Sequence, residues 1–248
     1  MSKLSGKVAV VTGASKGIGA AIAKAFAAEG ASIVVNYASS KAGADTVVAA
    51  IEAAGGKAVA VRGDVSKVAE AEGIIHAAIK NYGRLDILVN NSGVYEYGPI
   101  DAITSDQFHR IFDVNVLGLL LITQAAVKHL GEGGSIINIG SGVSRITPPN
   151  SAVYAGSKAA VDAITGVLSH ELGPKKIRVN SVNPGMVETE GTQSGGFTGS
   201  NFEKALIART PLGRIGKPGE IASIAVFLAS EDSAWVTGEQ ILATGGFR

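Results

Sequence analysis

Short apolar runs rich in valine and isoleucine recur along the chain at Val8–Thr12, Ser32–Asn36, Ala58–Arg62, Leu85–Val89, Ser135–Ile139, Ile177–Val182 and Gln240–Leu242. They are nearly continuous in hydrophobicity, which is how strands buried on both faces read. Between them lie longer stretches of helical pattern at Gly17–Glu29, Lys41–Ala54, Val68–Tyr82, Asp106–Leu130, Ala152–Leu172 and Gly219–Ala229. This alternation predicts right-handed crossovers and an α/β fold, a doubly wound parallel sheet of about seven strands with helices on both faces. No linker or low-complexity tail interrupts it, so residues 1–248 read as a single domain. One segment breaks the rhythm. From Met186 to Ser200 the chain is rich in glycine, serine and threonine, just after a strand end, where open α/β sheets bind ligands. Residues 186–210 are expected to form a mobile lid, the alternative being a plain surface loop.

Composition sharpens this picture mainly by exclusion. Hydrophobic residues make up 46% of the 248, enough for a sizeable core, and the 33 glycines imply many tight turns. A net charge of +1 offers no general field for nucleic acid or an anionic membrane, so any phosphate must be held by a local site. The absence of cysteine excludes disulfides, thiolate catalysis and cysteine–metal sites. His76, His109, His129 and His170 show no ligand-like pairing, and no metal is expected. The opening residues carry no signal-peptide pattern, and the apolar stretch Val114–Val127 is too short to span a bilayer. A cytoplasmic protein is expected.

The first candidate site follows the first strand: Thr12-Gly13-Ala14-Ser15-Lys16-Gly17-Ile18-Gly19, opening a helix. Gly13 permits the sharp turn, Gly17 lets backbone approach a pyrophosphate, and Gly19 lets helix and strand pack closely. The free N–H groups and the dipole of the helix N-terminus then face the phosphates. The spacing is G-x-x-x-G-x-G, and the loop resembles that of the short-chain dehydrogenase/reductase family. That resemblance implies a Rossmann-type fold and a nicotinamide dinucleotide held by Gly13, Ser15, Lys16, Gly17, Ile18 and Gly19.

The end of the second strand bears on which dinucleotide. A free ribose 2′-hydroxyl is usually held there by an acid, but this strand ends in neutral Asn36, followed by Tyr37, Ala38, Ser39, Ser40 and Lys41. Asn36 would not repel a 2′-phosphate, Ser39, Ser40 and nearby N–H groups can donate to it, and Lys16 and Lys41 add positive charge. NADP(H) is therefore expected over NAD(H), although Ser39 and Ser40 also suit helix capping. By the family resemblance, Asp64 and Val65 contact adenine, and Asn91, Ser92 and Gly93 belong to its N-N-A-G motif, with Ser92 in place of alanine. Val114 joins the same set.

Tyr154 and Lys158, four apart, share one helix face, and Ser141 stands thirteen residues before the tyrosine, just past a strand end. The ordered set of glycine loop, Asn-Asn-x-Gly, Asn115, Ser141, Tyr154 and Lys158 matches the family over nearly the whole chain. Reducing a ketone needs a hydride and a proton. A free tyrosine phenol ionises near ~10, and an adjacent ammonium, Lys158, is expected to draw it down into use as a general acid/base. Ser141 would stabilise the developing oxyanion, and Lys158 would also bind the nicotinamide ribose. Asn115 resembles the family residue that holds a water in the proton relay. Pro184, Gly185, Val187 and Thr189 resemble the stretch that contacts the carboxamide.

The resemblance thus implies an NADP(H)-dependent oxidoreductase passing hydride between cofactor and a small ketone or secondary alcohol, usually a homotetramer. Tyr95, Tyr97, Pro148, Pro149, Asn150, Phe197 and Phe202 are expected to shape the substrate pocket, and Trp235 to be a core or interface residue. Two alternatives concern other substrates: a 3-oxoacyl group on acyl carrier protein, which Glu132 disfavours by charge while Lys175-Lys176 retains some, or a sugar or polyol. A non-enzymatic dinucleotide sensor would be expected to lack the tyrosine or the lysine, and both are present.

Overall fold

The computed structural model describes residues 2–197 and 199–248; within the 186–210 segment, Thr198 lies outside the described residues. Seven strands form one sheet: β1 (Val8–Val11), β2 (Ser32–Tyr37), β3 (Lys57–Arg62), β4 (Leu85–Asn90), β5 (Leu130–Ile139), β6 (Arg178–Pro184) and β7 (Gln240–Ala243). Their order is β3-β2-β1-β4-β5-β6-β7, and every neighbouring pair is parallel. The expected doubly wound α/β sheet of seven strands is what the chain adopts. Because side chains alternate across a strand, each strand feeds two cores. Ala9, Val11, Ile33, Val35, Ile87, Val89 and Ile137 face one cluster, and Val8, Val10, Val34, Leu88 and Ile136 the other.

Three helices cover the first face: α1 (Gly17–Ala28), α2 (Lys41–Ala53) and, late in the chain, α10 (Pro218–Ala229). The second is covered by α3 (Val68–Tyr82), α5 (Gly118–Ala126) and the end of α7 (Ala152–Leu172). The chain moves outward from β1 through β2 to β3, then crosses back to β4. This reversal leaves a cleft beyond the carboxyl ends of β1 and β4, where sheets of this kind accept ligands.

Two departures from the sequence pattern bear on function. The stretch expected as one helix from Asp106 to Leu130 is broken into α4 (Ser105–Phe112), a π-helical turn at Asp113–Leu117, and α5, with Leu130 already opening β5 opposite Leu85. Asn115 sits in the π turn, and its amide bonds the backbone of another loop rather than solvent. The second departure is the 186–210 segment. It carries α8 (Glu190–Ser194) and α9 (Asn201–Arg209), the hydroxyl-rich composition being spent on caps. Thr189 accepts from Thr192 N at 3.1 Å, and Ser200 from Glu203 N at 3.1 Å. A short α6 (Val143–Ile146) follows β5.

Gly19 tests how tightly α1 is docked on the cleft. A Cβ there would lie 2.4 Å from Asn91 Nδ2 and 2.7 Å from the Gly13 carbonyl oxygen. Gly19→Ala is expected to cost about 1–3 kcal/mol by overpacking, despite the better helix propensity of alanine. Urea unfolding reads this as a lowered midpoint; an unchanged or raised midpoint would contradict the tight fit.

Candidate active site

The carboxyl edge of the sheet is stitched together through Thr12. Its hydroxyl donates to Val89 O at 3.2 Å and accepts from Asn91 N at 2.9 Å and Ser92 N at 3.0 Å. Asn91 returns Nδ2 to the carbonyls of Thr12 and Gly13 at 2.8 and 3.0 Å. Gly13 and Gly17 both take φ of +59°, which favours glycine over every other residue. Ser92 is half-buried, so its hydroxyl is not forced to find a protein partner.

α1 opens at Gly17 with no side-chain cap on its own N-cap residue. A carboxylate from α8 stands there instead: Glu190 Oε2 accepts from Gly17 N at 3.0 Å. The N-terminus of α1 is therefore already an anion site by its own hydrogen bonding. Ile18 beside it lines the adjoining cavity, Ser15 is half-buried, and Lys16 makes no ion pair among the described residues.

At the end of β2, Asn36 is 1% exposed. Its Oδ1 accepts from Gly13 N at 3.2 Å, and Nδ2 donates to Val61 O and Gly63 O at 3.3 and 3.0 Å. What Asn36 offers a ligand is therefore neutrality and not a side-chain contact. Tyr37 is buried as well. Ala38, Ser39 and Ser40 are exposed, and Ser40, though the N-cap of α2, makes no side-chain cap bond. Lys41 is drawn to Asp45 at 2.7 Å. Beyond β3, Asp64 Oδ1 accepts from Ser66 N and Oγ at 2.9 and 2.8 Å, while Val65 packs against Gly118, whose Cβ position is 2.6 Å from Val65 Cγ2. Val114 packs beside the same core cluster.

Tyr154 and Lys158 project from the first turns of α7 into one cavity of about 510 Å³, together with Ser141, Gly93, Asn91 and Ile18. The lysine amine is buried and donates to Ile139 O at 2.8 Å. Burial holds its pKa down to about 8, against a partial restoring pull from Asp162 one turn further along α7. The phenol of Tyr154 moves the other way. Burial pushes it up to about 12, with a hydrogen bond to Ser141 pulling down and Tyr97 and Tyr95 pushing up. Lys158 is not among the groups that move the phenol here: its amine donates to Ile139 O, and burial is the leading cause at both groups.

Asn115 closes the back of the site. Its Oδ1 accepts from Val94 N at 2.8 Å, and Nδ2 donates to Val94 O at 2.9 Å and Ser157 Oγ at 3.0 Å. The π turn thus fixes the loop after β4 and the first turns of α7 together. Pro184, Gly185, Val187 and Thr189 line the cavity wall on the β6 side. Thr189 lies 3.5 Å from the Cβ position of Gly17, so this wall meets the glycine turn.

The remaining walls are largely apolar. Tyr95, Tyr97, Pro148, Pro149, Phe197 and Phe202 line them as expected from the sequence, but Asn150 does not. It adopts φ of +65°, and its carbonyl accepts from Gly98 N at 2.8 Å, pinning the neighbouring loop. Trp235 is 99% exposed and is not a core residue of this chain. Sequence reasoning missed Asp162, which is buried and accepts from Ser144 Oγ at 2.7 Å and Asn183 Nδ2 at 2.8 Å, binding the Ser141 loop to β6. Its signal was available: it continues the Tyr154–Lys158 face at the next i+4 position.

The chain's resemblance to known proteins agrees with this geometry. Residues 13–248 match the family model described as enoyl-(acyl carrier protein) reductase. An uncharacterized oxidoreductase of Methylorubrum extorquens is 65% identical over 248 residues, covering 100% of both chains. A hydroxynaphthalene reductase-like protein of Metarhizium guizhouense is 41% identical, covering 98% of this chain and 95% of its own. Among solved structures, a short-chain dehydrogenase of Burkholderia cenocepacia in complex with NADP superposes with a TM-score of 0.93 at 36% identity, covering 98% of each chain. The chain is an oxidoreductase of the short-chain dehydrogenase/reductase family.

Proposed function

We propose that this protein is an NADP(H)-dependent carbonyl reductase in which Tyr154 protonates the substrate oxygen. The observation that carries the reading is one cavity that receives the Tyr154 phenol, the Ser141 hydroxyl and the Lys158 amine beside the N-terminus of α1, whose own N-cap residue makes no side-chain cap. The residues fit a dinucleotide. The glycine turn holds positive φ and close contacts that a side chain would fill, and the helix end is occupied by a carboxylate, the charge type of a phosphate.

Gly13, Ser15, Lys16, Gly17, Ile18 and Gly19 would hold the pyrophosphate. The exposed hydroxyls of Ser39 and Ser40 would hold a 2′-phosphate, with no acid at Asn36 to repel it. Asp64 and Val65 would flank adenine, and Asn91, Ser92, Gly93 and Val114 the ribose side. Pro184, Gly185, Val187 and Thr189 would meet the carboxamide. When bound, the nicotinamide supplies the hydride. Ser141 donates a hydrogen bond to the carbonyl oxygen and stabilises its growing charge. Tyr154, kept neutral by burial, gives its proton to that oxygen, an alkoxide being a far stronger base than a phenolate. Lys158 engages ribose hydroxyls, and Asn115 holds the proton-relay water.

The aromatic walls of Tyr95, Tyr97, Phe197 and Phe202 suit flat apolar ketones, as does similarity to a hydroxynaphthalene reductase-like protein. Residues 186–210 act as the lid, tied down where Tyr95 Oη donates to Gly191 O at 3.1 Å. A homo-oligomer, a tetramer by family habit, would cover the exposed Leu117, Leu120, Val167 and Trp235.

Tyr154→Phe is expected to lower kcat by about a thousandfold or more, general acid loss alone being worth about 10²–10⁴, while the dinucleotide still binds by fluorescence titration. Retention of most activity removes Tyr154 from its role. With a test ketone, kcat/KM should favour NADPH over NADH; equal values or an NADH preference would refute the 2′-phosphate reading. The lysine has its own signature. Its folded pKa of about 8 lies below the ordinary 10.5, so between those values the unfolded chain binds more protons and stability rises with pH. Relative to Lys158→Met, wild-type unfolding free energy should therefore climb from pH 8 to 10 and level off below 8, where both states hold the proton. A flat difference would mean that the amine is not desolvated.

A further inference from the structure

The cavity that holds Tyr154 is lined by no aspartate or glutamate among the described residues. Its two charged lining residues are both cations, Lys158 at the reacting end and Arg209 on the lid. Lys158 is committed to Ile139 and the chemistry. Arg209 is committed to nothing ionic: it makes no ion pair and no side-chain hydrogen bond to the described residues. In this it differs from Arg84, Arg110 and Arg214, which pair with Asp86, Glu96 and Glu220, and from Arg145 and Arg178, which donate to Gln240 and to Ser233.

Its placement is built. Phe202, Ala205, Leu206 and Arg209 all line the cavity and stand at i, i+3, i+4 and i+7 of α9, so one apolar stripe of the lid ends in a guanidinium. That guanidinium lies over the Phe247 ring at 4.7 Å from its centroid. The ring is itself buried, 7% exposed although it is the penultimate residue. Stacking uses the flat face of the guanidinium and leaves its in-plane N–H fork free, while fixing a side chain that would otherwise lose rotamer freedom on binding. A fixed, unpaired fork at the edge of an apolar cavity matches a carboxylate in geometry and charge.

We propose that the substrate is a ketone carrying a carboxylate on the end of an apolar, flat body, with Arg209 as the specificity residue that receives the carboxylate while the carbonyl lies against Tyr154 and Ser141. This rests on the carbonyl-reductase reading above. It adds the anionic group, which the apolar walls alone would reject.

The test uses matched pairs, 4-acetylbenzoate against 4-acetylbenzamide and 6-acetyl-2-naphthoate against its carboxamide, with the full chain and NADPH. Wild type should prefer the acid over the amide by about tenfold or more in kcat/KM, as a charge-assisted hydrogen bond to carboxylate provides. In Arg209→Gln that ratio should collapse to about one, and Arg209→Lys should restore part of it. Calorimetric titration with 2-naphthoate and 2-naphthamide, with NADP⁺ present, gives the same comparison without turnover. A wild type without acid preference, or a variant that loses acid and amide equally, overturns the assignment and leaves Arg209 a structural prop for Phe247. If no ketone is reduced but naphthoate binding still depends on Arg209, the carboxylate site stands and the reductase reading falls.

Discussion

Three parallel strands end at the cleft with backbone groups that no further ladder can satisfy, and the structure turns that necessity into a site. Thr12, Asn36 and Asn91 are short polar side chains placed where β1, β2 and β4 run out, and each bonds the backbone of a different strand end. An unmade bond to any of these buried groups costs about 1–3 kcal/mol, so the three define where the glycine turn lies to within a hydrogen bond. The first half of the turn is held by the edges of its neighbours. Gly19 then has to be glycine for reasons of space, Asn91 occupying the volume that a side chain would take, and Gly13 for its φ of +59°, with Ser92 pressing close.

The same logic of desolvated polar groups governs the chemistry. Lys158 is buried and Tyr154 half-buried, and desolvation moves them in opposite directions, the amine toward neutrality and the phenol away from ionisation. The two groups, ordinarily close in acidity, are thus driven apart, to about 12 for the phenol and about 8 for the amine. Asp162 is the nearest counterweight, and it is itself held by Ser144 and Asn183. One carboxylate therefore keeps charge on the lysine and also fixes the loop that carries Ser141. Loss of it would be felt at Lys158 and at Ser141 at once.

Much of this was legible in the residues. The near-continuous apolar runs gave the parallel sheet, and the order of glycine turn, Ser141, Tyr154 and Lys158 gave the cleft, because β–α alternation brings every strand end to one edge. What escaped was cross-strand and cross-loop polar pairing. Asn90 donates to Asn138 and Thr123, and Asn138 to Thr165, linking β4, β5, α5 and α7 through contacts far apart in sequence. No local pattern encodes such a ladder. The break at Asn115 was hidden for the same reason. Periodicity continues smoothly through Val114 and Val116, and only the backbone of Val94, some twenty residues upstream, explains the π turn. Hydroxyl-rich composition misled in the lid, since Thr189 and Ser200 read equally well as loop residues or as caps, and tertiary contacts chose caps.

The lid is where these threads meet. Glu190 accepts from Gly17 N, the N–H that a pyrophosphate would need, while Thr189 touches the Cβ position of the same glycine and Tyr95 ties Gly191 to the opposite wall. One N–H serves one anion well. A second anion at α1 would therefore compete with the carboxylate on α8 for that N–H. The end of α9 is anchored separately, through Leu212 N to Gly245 O at 3.1 Å and through Arg209 on Phe247. α8 and α9 are thus held by separate contacts, one on the glycine turn and the other on the C-terminal turn, so the two ends of the segment answer to different partners.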